Sequence, residues 1–266
     1  MDLLLQQYET YLRSWQASDL TIRARLTLAR GRLREWGLDG FTVDNVQAFL
    51  ATDRHGQPRK KWTTATYYNH LVDLCNFLVA AGRLDESPMA RVKQVRRPHS
   101  KPRPLLDHQV DAVLDLTRGV VRDWALIGLL AGFRSFETAK VRGDHFSEAG
   151  LFVHGKGDLE ATLPIHDELQ LMRDRYPETG FWFPGPEDGH VRSTKISTTF
   201  GTIFSALEIE GSYHRLRHTY GSRLIRGGVN VRVVQRLMRH SSLDSTAAYL
   251  EVVGDEEWDA IRVLSA

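Results

Sequence analysis

Apolar residues recur at helical spacing through the first third of the chain, and they predict helices without a convincing strand. Leu4, Tyr8, Tyr11, Leu12 and Trp15 form one stripe. Ser18 offers a cap for a second helix that runs to Trp36 and is closed by Gly37. Thr42 caps a third through Leu50, and Thr63 or Thr64 a fourth through Ala80, stopped by Gly82. A basic loop, Arg54 to Trp62, separates the last two. The natural product of residues 1–92 is a four-helix domain. In the following stretch, Pro98, Pro102 and Pro104 forbid a helix, while Lys93, Arg96, Arg97, Lys101 and Arg103 make it strongly cationic. Residues 93–104 read as an extended basic linker, suited to a phosphate backbone or simply to solvent.

The pattern changes after Pro104. Helices are expected at 107–117 and 120–131, and Leu151 to Ile165 reads as two short strands around a Gly-flanked turn. Helices then follow near 167–175, 194–207, 213–226 with a Ser212 cap, 231–239 with an Asn230 cap, and 244–252. The expected fold is mainly α, with a small antiparallel sheet in a mixed α+β domain over 105–250 and a tail at 251–266.

Composition narrows the class. At 266 residues and 42% hydrophobic content the chain buries a substantial core. The single Cys75, in an apolar helical context, permits no internal disulfide and fits core packing. The N-terminus lacks the basic start of a signal peptide, and the longest apolar run, Trp124 to Phe133, is about half of a membrane span. A cytoplasmic protein without membrane partners is expected. Net charge is only +2, but residues 1–103 carry 17 Lys and Arg against 10 Asp and Glu, the remainder 18 against 23. A basic N-terminal part suits a polyanion partner as well as an ordinary solvated surface.

Three clusters carry candidate chemistry. Arg134 follows the end of a long apolar helix, with Glu137 three residues on, a spacing that also suits a local ion pair. His214 and Arg217 lie one helical turn apart, an imidazole beside a guanidinium, which suits a phosphate oxygen or a plain basic surface. His240 closes a helix before a Ser-rich turn, and Tyr249 follows nine residues later. Singly, each is weak.

Their order is not. Arg134 with Glu137, the Gly-Lys-Gly hairpin around Lys156, His214-x-x-Arg217-His218-Thr219, His240-Ser241-Ser242 and Tyr249 resemble the tyrosine recombinase (phage integrase) family. Gly228-Val229 and Val233-Val234-Gln235 extend the resemblance, which covers essentially all of 104–250. The helical 1–92 is similar to the family's core-DNA-binding domain.

The resemblance implies a site-specific recombinase that cuts and rejoins DNA. Tyr249 resembles the nucleophile, Arg134 and Arg217 the two catalytic arginines, and His214 the histidine that serves as proton acceptor or phosphate ligand. His240 resembles the second histidine, and Lys156 the general acid for the leaving oxygen. Glu137 is expected to support Arg134 or the fold, and His218 to lie behind the site. Arg59, Lys60, Lys61, Trp62, Thr63, Thr64 and Tyr67 are candidate DNA contacts, with Arg96, Arg97, Lys101 and Arg103 along the backbone. One departure stands out, since Arg239 occupies the position before the second histidine where the family usually has glycine. It is expected either to be tolerated there or to add a phosphate contact.

No cofactor or metal is expected, because no Walker-type loop and no acidic cluster is present. The implied partners are double-stranded DNA with core-type attachment sites and a homotetramer on DNA, weakly associated without it. The Trp258, Ile261, Leu264 stripe suits docking on a neighbouring subunit or packing in cis. Because the helices begin almost at Met1, no arm-binding domain is expected. Phage integration is the leading role, with Xer-type dimer resolution as the alternative. A type IB topoisomerase and a non-catalytic DNA-binding protein of the same fold are the outside readings.

Overall fold

A computed structural model of the chain describes residues 2–98, 101–154 and 160–239. They fall into two compact units, Met1–His99 and Ser100–Ala266. The first contains α1 (Asp2–Ser14), α2 (Asp19–Trp36), α3 (Val43–Ala51) and α4 (Lys61–Ala80). Local chemistry sets the boundaries. The Ser18 and Thr42 hydroxyls accept from the Thr21 and Asn45 N–H groups, and Gly37 ends α2 at φ +61°. Helix α4 starts earlier than the threonines suggested, at Lys61 after an uncapped Lys60. Thr63 and Thr64 therefore sit in its first turn, and the Thr64 hydroxyl donates to the Leu50 carbonyl at 3.4 Å. Leu5, Tyr8, Leu12, Val46, Leu71, Leu74 and Leu78 fill the core, with Cys75 buried among them.

The second unit contains α5 (Asp107–Leu116), α6 (Gly119–Leu130) and the five-residue α7 (Ser135–Ala139). A sheet follows, β1 (Phe146–Ser147), β2 (Gly150–His154) and β3 (Glu160–Leu163), antiparallel in that order, with Leu151 opposite Leu163 and His154 opposite Glu160. Then come α8 (Asp167–Met172), β4 (Pro184–Glu187), α9 (Ser193–Ala206), α10 (His214–Arg226) and α11 (Val231–Met238). The period-based reading missed α7, β1 and β4, all too short to show a period. It also assigned α10 a Ser212 cap. Tyr213 takes that position, in helical conformation, and Ser212 contributes only its carbonyl, to the Arg215 N–H at 2.9 Å.

Helices α6 and α10 cross in the middle of this unit, and the crossing positions the site. A Cβ on Gly128 would lie 2.9 Å from the Leu216 Cβ and 3.0 Å from the Tyr213 hydroxyl, so only glycine allows this approach. The Tyr213 ring is buried there, and its hydroxyl donates to the Trp124 carbonyl at 2.8 Å and meets the Thr138 hydroxyl at 2.8 Å. One phenol thus ties α6, α7 and α10 together. The segment before α5 is bound to α10 as well. Arg215 donates to the Arg103 and Pro104 carbonyls at 2.9 and 2.8 Å, and the Leu105 N–H donates to the Thr219 hydroxyl at 2.8 Å.

Tyr213→Phe leaves the Trp124 carbonyl and the Thr138 hydroxyl buried without that partner, so it is expected to cost about 1–3 kcal/mol. Denaturant unfolding of the two proteins measures this, and equal midpoints would show that the hydroxyl contributes nothing.

Candidate active site

The first arginine is placed by a turn that only glycine makes comfortably. Gly132, just beyond α6, has φ +63°, and a Cβ there would stand 2.4 Å from the Tyr220 ring. The chain then reverses into α7 with Arg134 at its N-terminus. Glu137 grips Arg134 from both ends, accepting from its backbone N–H at 2.7 Å and from its guanidinium at 2.9 Å. The Glu137 side chain is fully buried, whereas Arg134 stays 28% exposed. Arg134 therefore faces outward from a rigid mount.

Helix α10 presents His214 and Arg217 one turn apart. Arg217 is fully buried, donates to the Gly132 carbonyl at 2.5 Å and to the Met238 carbonyl, and lies 3.9 Å from Glu137. These bonds fix the guanidinium plane between the Arg134 loop and the end of α11. His214 keeps a solvent-exposed edge and meets the His218 ring edge-on at 4.5 Å. Crowding by the surrounding protein, then the charges of Arg217 and Arg134, push the His214 pKa down to about 4. The ring is neutral at pH 7.

Arg239, the departure in the sequence, points its side chain at Glu137. It closes α11 in the left-handed region, at φ 52°, a conformation that costs a non-glycine residue on the order of 1 kcal/mol. Its side chain turns inward, over the Phe133 ring at 5.0 Å, and pairs with Glu137 at 2.7 Å. Burial alone would raise the Glu137 pKa. Arg239, then the Arg134 N–H and the charges of Arg134 and Arg217, outweigh burial and hold the carboxyl below its ordinary value.

The described residues thus bring Arg134, His214 and Arg217 into one neighbourhood around Glu137. Lys156, His240 and Tyr249 lie outside the described residues, as do 244–252 and the Trp258, Ile261, Leu264 stripe. Sequence reasoning missed the Arg239–Glu137 pair and the Arg215 clasp. Only the unusual arginine at 239 signalled the first, and nothing local signalled the second. Among the described residues no group of His, Cys, Asp or Glu is arranged to hold a metal ion, and no helix is long and apolar enough to cross a membrane.

In the first unit, Lys60, Lys61 and Trp62 are exposed at the start of α4, with Arg97 over the Trp62 ring at 5.4 Å. Arg59 is fastened to the fold, donating to the Phe49 carbonyl at 2.8 Å and lying over the Phe49 and Tyr67 rings at 4.6 and 5.0 Å. Thr63 and Tyr67 are half-buried on α4, and Arg96 is exposed. In the second unit, Lys101 and Arg103 are exposed, and Arg103 pairs with Glu210 at 3.1 Å.

Comparison with known proteins gives a consistent result. The phage integrase family model matches residues 105–254. A tyrosine recombinase of Thermosipho africanus is 27% identical, over 99% of this chain and 100% of that protein. The integrase of mycobacterium phage Brujita shares 30% identity and a TM-score of 0.51, covering 97% of this chain and 89% of that one. A lambda integrase dimer bound to a COC′ core site has a TM-score of 0.73 at 15% identity, over 91% of this chain and 96% of that one, which marks a shared fold.

The depressed His214 pKa is open to direct measurement. NMR titration of its ring is expected to give a midpoint at about 4, whereas a midpoint near the ordinary value of about 6.5 would contradict the crowding and charge described. The sign follows by linkage. The unfolded chain takes up this proton before the folded one, so His214 lowers stability as pH falls through that window.

Proposed function

The chain belongs to the phage integrase family of tyrosine recombinases, and on that premise we propose that it breaks and rejoins double-stranded DNA through Tyr249, Arg134, Lys156, His214, Arg217 and His240. The observation that carries this reading is the gathering of Arg134, His214 and Arg217 around one buried carboxylate. Such a cluster suits a phosphate whose non-bridging oxygens gain charge in the transition state.

The Tyr249 phenol attacks the scissile phosphorus, the bond to the 5′-oxygen breaks, and a 3′-phosphotyrosine forms. A phenol of pKa about 10 needs roughly 4 kcal/mol of help to ionise at pH 7. Arg134 and Arg217 supply part of it by binding the phosphate oxygens, and His240 donates a further hydrogen bond. His214, with its pKa at about 4, is a poor base in the free protein. Burial is the larger cause of that depression, and a bound phosphate offsets only the part that comes from the Arg217 and Arg134 charges. Lys156 delivers a proton to the departing 5′-oxygen. The covalent link conserves the phosphodiester energy, so rejoining needs no ATP and no metal.

Residues 1–92 act as the core-DNA-binding domain and 93–104 as a basic linker along the duplex, with Lys60, Lys61, Trp62 and Arg97 among the contacts. A homotetramer on paired core-type sites is the working assembly, in the bacterial cytoplasm. Integration and excision of a phage genome is the role supported by the extensive match to the Brujita integrase.

A nicked suicide substrate tests the chemistry. The chain is expected to form a covalent protein–DNA band that Tyr249→Phe lacks, and an adduct with that variant would assign the nucleophile elsewhere. Lys156→Ala is expected to be slow on ordinary DNA and rescued when the leaving oxygen is sulfur, which needs no acid. Failure of rescue removes Lys156 from that role. Joining of two different attachment sites supports the phage role, whereas resolution of identical sites on one replicon supports the Xer-type alternative.

A further inference from the structure

Glu137 poses an electrostatic problem for the proposed reaction. A carboxylate 2.9 Å from the Arg134 guanidinium and 3.9 Å from that of Arg217 offsets the charge those groups would otherwise offer to a phosphate. The site holds this carboxylate in contact with its own anion-binding groups, fully buried, where charge is least screened. Arg239 answers it. Its guanidinium takes Glu137 Oε2 at 2.7 Å, while Arg134 takes Oε1.

The Arg239 guanidinium is engaged within the protein, pairing with Glu137 at 2.7 Å and donating to the Leu237 carbonyl at 3.0 Å. It is held there although its backbone, at φ 52°, favours glycine. Glycine would satisfy the turn. The side chain is therefore what this position uses.

We infer that Arg239 is a positioning residue for DNA cleavage, neutralising Glu137 so that the charges of Arg134 and Arg217 remain available to the scissile phosphate. With Arg239 the described cluster has three positive charges against one negative. Without it, Arg134 and Arg217 are the cations left beside the carboxylate among the described residues, and it draws them away from an incoming anion. The effect falls on the transition state more than on DNA affinity, because the phosphate gains charge as it reacts while most of the binding comes from contacts elsewhere. This inference rests on the function proposed above.

The test is single-turnover cleavage of the nicked substrate by the full chain, measured across DNA concentrations beside thermal unfolding. Arg239→Met is expected to slow cleavage about 10- to 100-fold at saturating DNA, with the half-saturating concentration nearly unchanged. Arg239→Lys, which keeps the charge, is expected within a few-fold of the parent. Glu137→Gln combined with Arg239→Met is expected to regain much of the loss, since the offending carboxylate is gone. Arg239→Gly removes the charge while suiting the backbone, so it covers the case in which the methionine variant fails to fold. A purely structural role would lower the melting temperature and the active fraction while leaving the rate per folded molecule intact.

Three results would overturn the inference. Arg239→Gly or Arg239→Met could cleave at the parental rate, lysine could fall as far as methionine, or the double variant could regain nothing. If the unmodified chain forms no adduct, the function reading itself fails and the inference with it. If the chain cleaves normally and these variants do too, only the inference fails.

Discussion

Glu137 is fully buried, and a carboxylate is tolerated in that environment only where cations and hydrogen bonds meet both its oxygens. Three arginines from different elements do so: Arg134 at the head of α7, Arg217 on α10 and Arg239 at the end of α11. Arg217 also reaches past the carboxylate to the Gly132 and Met238 carbonyls, so backbone from two turns is held in register with its side chain. Removing one partner of a buried ion pair typically costs 3–5 kcal/mol. The second unit is therefore organised around a charge it is unable to leave unpaired.

This constraint connects packing to chemistry. The Gly128 crossing and the Tyr213 hydroxyl set the relation of α6 to α10, and so bring the Arg134 loop to Arg217. Gly132 folds its backbone under the Tyr220 ring, which allows the turn. Both glycines are apolar-core devices with a polar consequence. They let the Arg134 and Arg217 guanidiniums approach one buried carboxylate. An arginine held in this way presents its charge already oriented, and preorganised charge stabilises a reacting phosphate at little further cost.

Much of this was open to a reading of the residues, for identifiable reasons. Helix caps are local, so Ser18, Thr42, Gly37 and Asn230 mark the ends that the structure has. The start of α4 was misjudged because Lys60 caps it with no side chain, and Tyr213 displaced Ser212 because tertiary contacts pinned its ring. Helix α7 and strands β1 and β4 are too short for periodicity. For the site, the order of the chemical clusters was visible, and so was the oddity of arginine at 239. Its direction was not. The Glu137 partner is 102 residues away in sequence, and neither propensity nor spacing carries that information.

One scissile phosphate is expected to meet both arginines mounted on Glu137. A crystal structure of the chain trapped on a nicked core site measures this directly. It is expected to show the scissile phosphate within hydrogen-bonding distance of both Arg134 and Arg217, with the Arg239–Glu137 pair intact beneath them. A phosphate bound away from either arginine, or Arg239 swung out to hold it in place of Glu137, would contradict the account.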